Sequence, residues 1–131
     1  MTRREIRELI FKMIFRVEFH DEAEIPEQLR LFMDALDTAS EEDRDYIEHK
    51  SSDILAHLQE IDEIINTSAT GWKTSRMAKV ELALIRVAVY EIRYEEDIPT
   101  KVAINEAVEL AKEYGEDNSA AFVNGVLARI A

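Results

Sequence analysis

No segment of this chain alternates apolar and polar residues with a period of two over a useful length, and only three Gly and two Pro interrupt it. Half-buried strands need that alternation and their connections need turn residues, so both absences point to an all-α protein. What the chain carries instead is helical periodicity. Thr2 and Glu5 have the spacing of a capping box, and Ile6, Leu9, Ile10, Met13, Ile14 and Val17 trace one face of a first helix. After the acidic stretch 20–24, Pro26 suits the first turn of a second helix whose apolar positions are Leu29, Phe32, Met33 and Leu36. Ser40 opens a second capping box, SEED, and Tyr46, Ile47, Ile54, Leu58, Ile61 and Ile65 predict one long third helix ending in a 66–71 connection.

Beyond Trp72 the pattern changes. Residues 80–94 are apolar on nearly every face, which marks the central helix of a bundle. Pro99 opens a further helix over 102–114, Gly115 stands where a left-handed C-terminal cap is expected, and Asn118 or Ser119 caps a last helix through Ile130. A boundary near residues 68–76 divides the chain into halves 1–70 and 71–131. These are expected to be two small helical bundles packed as one domain, with Trp72 as a packing plug between them.

The total of 131 residues, 47% of them hydrophobic, suffices for a real core, since a chain this size buries roughly two-thirds of its unfolded surface. Absence of Cys removes disulfides, thiolate metal sites and Cys nucleophiles, and makes the reducing cytoplasm the expected compartment. The longest uncharged run, 118–128, has 11 residues, against the ~20 apolar residues of a membrane span. Charged residues within the apolar N-terminal stretch also exclude a secretory signal.

The net charge of −12 argues, as a total, against nucleic acid, but it is unevenly spread. Residues 1–16 hold five basic groups and two acids, a balance of +3, whereas residues 17–72 hold three basic groups and sixteen acids, a balance of −13. With a screening length of about 8 Å at physiological salt, a basic first helix keeps its own local field. Catalytic signatures are missing. His20, His49 and His57 lack metal-ligand spacing, and the chain has no HExxH, glycine-rich phosphate loop or GxSxG turn. Its many carboxylates read as solvated faces, so neither an enzyme nor a bound metal or cofactor is expected.

The first helix has a second face. Advancing about 100° per residue, the apolar set spans roughly 180° to 320°, while Phe11, Phe15 and Phe19 fall at about 20°, 60° and 100°. Arg4 and Arg7 share their sector. Guanidinium groups beside aromatic rings are what RNA binding uses, phosphates meeting the cations and bases stacking on the rings. The other reading makes the Phe stripe core and the arginines simply solvated.

The C-terminal half carries a more specific signal: Leu84-Ile85-Arg86 with Tyr90-Glu91, Asp97-Ile98-Pro99, Lys101 to Ala107 (KVAINEA), Glu109 to Lys112 (ELAK), and Phe122 to Leu127 (FVNGVL). These ordered blocks closely resemble the NusB family of bacterial transcription antitermination factors. The opening with Arg4, Arg7, Glu8 and Glu18 resembles the family too, whereas residues 20–75 match only in helical pattern and length.

The resemblance implies a seven-helix fold of two bundles and a non-catalytic RNA-binding adaptor. It implies pairing with the ribosomal protein NusE, joint binding of single-stranded boxA RNA, and read-through of terminators by the RNA polymerase elongation complex with other Nus factors, notably in ribosomal RNA operons. By position, the RNA-binding residues are Arg3, Arg4, Arg7, Lys12, Phe15, Asn118, Ser119 and Phe122, and Glu81 matches an acid on the NusE-facing surface. Asn105, Asn124 and Gly125 are expected to serve helix packing. Departures exist: Lys12 stands where Gln is common, Phe15 where Tyr is common, and Ala120 and Ala121 replace a polar or basic pair. Weak RNA binding alone and stronger binding as a heterodimer are therefore expected. Some relatives form homodimers, and a NusB-like domain precedes an RNA methyltransferase in some larger proteins. The alternative outside this class is a helical protein-interaction module whose acidic surface recruits a basic partner.

Overall fold

The computed structural model describes residues 1–69 and 71–131, and shows seven α-helices with no strand among those residues. Thr70, in the expected 66–71 connection, lies outside the described residues. The chain forms two compact units, Met1–Ala56 and His57–Ala131.

The first unit holds α1 (Arg3–Arg16), α2 (Ile25–Asp34) and α3 (Glu41–Ala56). α1 starts as its sequence predicts: the Glu5 N–H donates to Thr2 Oγ1 (3.1 Å) and the Thr2 N–H to Glu5 Oε1 (2.8 Å), satisfying two donors that a helix start leaves open. Ile10, Met13 and Ile14 are fully buried, and α1 packs chiefly on α3, which contributes Ile47, Ser51 and Ile54. α2 has Pro in its first turn. Its end is closed by another helix, because Arg44 of α3 donates to the carbonyls of Met33 (2.9 Å) and Leu36.

The second unit holds α4 (Leu58–Ser68), α5 (Lys79–Tyr94), α6 (Thr100–Tyr114) and α7 (Ser119–Ile130). α5 is central, as its all-round apolar pattern predicts: it touches α4, α6 and α7, and every residue from Leu82 to Glu91 is buried. Each fully buried Leu or Ile there contributes about 1.5–3 kcal/mol. The buried Arg86 guanidinium is paired bidentately with Asp62 of α4, at 2.9 and 2.8 Å.

Three expectations are corrected. The long third helix is two helices broken at His57 (φ −104°, ψ 11°), and the boundary between compact units lies there and not at 70/71. Residues before the break pack on α1, those after it on α5 and α7, and the chain must turn between these two tasks. Gly115 has φ −93° and ψ −167°, so it is no left-handed cap; glycine is required because an added Cβ would lie 2.5 Å from Ser119 Cβ. Neither Asn118 nor Ser119 caps α7 through its side chain, since the Ser119 hydroxyl accepts from the Glu116 N–H (2.9 Å), within the preceding turn.

Candidate functional site

The expected site residues fall in two groups, one in each unit. Arg3, Arg4, Arg7, Lys12 and Phe15 lie on α1; Asn118, Ser119 and Phe122 lie at the start of α7.

On α1 the two readings of the Phe stripe divide by position. Phe11 is 3% exposed and belongs to the core, Phe15 is half-buried, and Phe19 is 56% exposed. Their rings form a continuous ladder, Phe11 to Phe15 at 6.1 Å and Phe15 to Phe19 edge-on at 5.0 Å. The same stripe therefore anchors the helix at one end and offers ring surface at the other. Arg3, Arg4 and Lys12 are exposed on the same helix, and Lys12 lies 3.4 Å from Glu8 one turn back. Arg7 is buried and offers little surface. Arg16 stacks its guanidinium over Phe32, 5.2 Å from the ring centre, a cation–π contact that secures the end of the helix. At the helix start, the hydrogen bonds from Thr2 hold the Glu5 carboxyl below the usual glutamate range. A carboxylate fixed there complements the positive end of the helix dipole.

On α7, Asn118 is exposed, Ser119 is buried with its hydroxyl engaged by Glu116, and Phe122 is half-buried. Only Asn118 and Phe122 of this trio present surface. Phe122 meets Trp72 edge to face, 5.2 Å between ring centres at 76°. Trp72, expected as a buried plug, is instead 52% exposed. The two rings line a cleft of about 200 Å³ with Ala69, Ala121, Gly125, Val126 and Arg129. Gly125, Asn105 and Asn124, expected to serve helix packing, all face solvent.

Glu81 is half-buried in the first turn of α5, where an acid again complements the helix dipole. Among the described residues no group of three or more His, Cys, Asp or Glu is placed to hold a metal ion, and no helix is long and apolar enough to cross a membrane.

Comparison with known proteins gives one answer across the whole chain. The model of the NusB family matches residues 4–131. The chain is 62% identical to the transcription antitermination protein NusB of Agathobacter rectalis, over all of both chains. It is 38% identical to that of Listeria monocytogenes, over 100% of this chain and 97% of the relative. Among solved structures it is similar to T. maritima NusB, with a TM-score of 0.88 and 35% identity over 100% of this chain and 91% of the other. It also shares the fold of a chain in a complex of antitermination factors NusB and NusE with double-stranded RNA, with a TM-score of 0.85 and 23% identity over 98% of this chain and 94% of that one.

Proposed function

The chain belongs to the NusB family, and from that premise we propose that it is a transcription antitermination factor acting as a non-catalytic RNA-binding adaptor. It pairs with ribosomal protein NusE, binds boxA in nascent ribosomal RNA transcripts, and promotes read-through of terminators by RNA polymerase in the cytoplasm. The observation that carries this reading is 62% identity to an antitermination protein over the full length of both chains, combined with the graded α1 face. Exposed Arg3, Arg4 and Lys12 meet phosphates, and the ring surface of Phe15 receives an unstacked base. At the second position, Asn118 and Phe122 contact RNA while Ser119 holds the turn that presents them.

The acidic remainder of the chain suits a basic ribosomal protein, because complementary charge raises the encounter rate and selects the partner. Glu81 serves that contact. A mobility-shift titration with boxA RNA tests the reading, with and without NusE: a weak shift for the chain alone and a stronger one for the heterodimer are expected. No shift in either case at micromolar protein overturns it. A partner that co-purifies after ribonuclease treatment, with no effect of Arg4 substitution, would favour the protein-interaction module instead.

A further inference from the structure

The two longest stretches of this acidic chain that contain no Asp or Glu are residues 64–80 and 118–131. They hold four cations, Lys73, Arg76, Lys79 and Arg129, all of them exposed. The fold brings these stretches together along α4 and α7 and in the edge-to-face contact of Trp72 with Phe122, and Arg129 is among the residues that line the cleft beside the two rings.

Three local features keep this cleft open and its indole presented. Gly71 has φ +85°, a conformation that L side chains rarely adopt, and it turns the backbone immediately before Trp72. The Trp72 N–H then donates to the Ala69 carbonyl (2.9 Å) and the Thr74 N–H to Asn66 Oδ1 (2.8 Å), so a largely exposed ring stands on a pinned backbone. Gly125 lies in mid-helix, where glycine is disfavoured relative to alanine, yet a Cβ there would meet nothing within 4 Å. Close packing among the described residues does not require this glycine, and its missing side chain leaves the cleft unfilled.

We propose that the Trp72–Phe122 cleft is a nucleobase-stacking site for single-stranded RNA, with Lys73, Arg76, Lys79 and Arg129 as its phosphate contacts. The proposal rests on the RNA-adaptor reading and extends it to a loop outside the expected binding residues. The lining decides the chemistry: besides the two rings it offers small apolar residues and one guanidinium, with no carboxylate and no uncharged hydrogen-bonding side chain. Flat aromatic surface beside cations suits an unstacked base and its phosphates without demanding a particular base. A basic protein partner, which the rest of the chain suits, is repelled by four cations.

Trp72 is the only tryptophan, so its emission reports on this site alone. The full chain is titrated with a short single-stranded RNA containing boxA while intrinsic fluorescence is read, and the same RNA is followed separately by mobility shift. Quenching is expected to saturate at the midpoint of the shift. Trp72→Ala should weaken binding about 5- to 100-fold, and Trp72→Phe should restore most of it. Lys73→Glu with Arg76→Glu, at two exposed positions, should lower the slope of log affinity against log salt by roughly 0.7 for each lost phosphate contact. This double variant tests the site even if Trp72→Ala does not fold. RNA binding with unchanged emission and an unchanged salt slope overturns the proposal and leaves the adaptor reading intact. Loss of all RNA binding by the parent chain overturns both. Quenching by NusE without RNA, with Trp72→Ala losing NusE and retaining RNA, makes the cleft a protein contact and overturns the proposal.

Discussion

Arg86 grips Asp62 through two parallel hydrogen bonds, of 2.9 and 2.8 Å, and this pair ties the central helix α5 to α4. Arg86 is buried whereas Asp62 is a quarter exposed, so removing the arginine leaves a partly hydrated carboxylate without its fork. Arg86→Met should destabilise the protein by about 2–4 kcal/mol, since breaking one side of a buried pair strands the other. Asp62→Asn, which keeps one acceptor but leaves the more deeply buried guanidinium without a counter-charge, should cost at least as much. Denaturant midpoints of the two variants check the order.

Gly115 and Ser119 are equally interdependent. A methyl group at 115 would meet Ser119 Cβ and Oγ at 2.5 Å and the Ala111 carbonyl at 2.8 Å. Gly115→Ala is expected to destabilise by about 1–3 kcal/mol. Combining it with Ser119→Gly should recover part of that loss, and a double-mutant cycle measures the coupling.

Acid should loosen the start of α1. The Glu5 carboxyl titrates below the ordinary glutamate range because it accepts from Thr2. A lowered native pKa means that the stabilisation is present above the unfolded-state value and is lost as pH falls through the native one. Observed by NMR, the Glu5 carboxyl should titrate at a depressed midpoint, with protection of the first-turn amides fading over the same interval. Glu5→Gln, which keeps an acceptor without a charge, should remove the pH dependence of that protection.

The Phe ladder on α1 separates stability from binding along one stripe. Phe11→Ala should cost about 3–5 kcal/mol as a core truncation. Phe19→Ser should cost about 1 kcal/mol or less, the worth of one edge contact, while thermal melts keep their cooperativity. Arg4→Glu with Lys12→Glu should leave helicity unchanged and lower the salt slope of RNA binding by roughly 1 to 1.5.

Gly125→Ala should act in opposite directions on folding and binding. With open space around the new methyl, α7 should gain about 0.5–1 kcal/mol. The same methyl narrows the cleft beside Trp72, so RNA affinity should fall while the melting temperature rises.

Local signals carried most of what the sequence revealed. The Thr2–Glu5 box and the all-apolar stretch of α5 depend on neighbours in the chain, and both stand as the sequence predicts. The break at His57 could not be seen this way, because Ile54, Leu58, Ile61 and Ile65 keep one period across it. What changes there is the packing partner. The helical wheel found the Phe stripe but gave no depth, and depth separates Phe11 from Phe19. Asn105 and Asn124 lie in blocks that resemble the family's, a setting that suggests helix packing; both lie on the surface. Exposed Trp72 follows Gly71 with its positive φ, and its backbone N–H donates to the Ala69 carbonyl, a choice of path that no periodicity encodes. The one available clue was the lack of acids on both sides of it.

Arg44 closes the end of α2 from a position eleven residues beyond Met33, and α1 finds its main packing partner in the same helix, α3. A chain leaves the ribosome N-terminus first. The arginine-bearing helix is therefore made first and settled late, and α2 has no finished end until Arg44 emerges. Translation paused before α3 leaves both earlier helices without the surface that completes them. The first unit is thus assembled by its last helix.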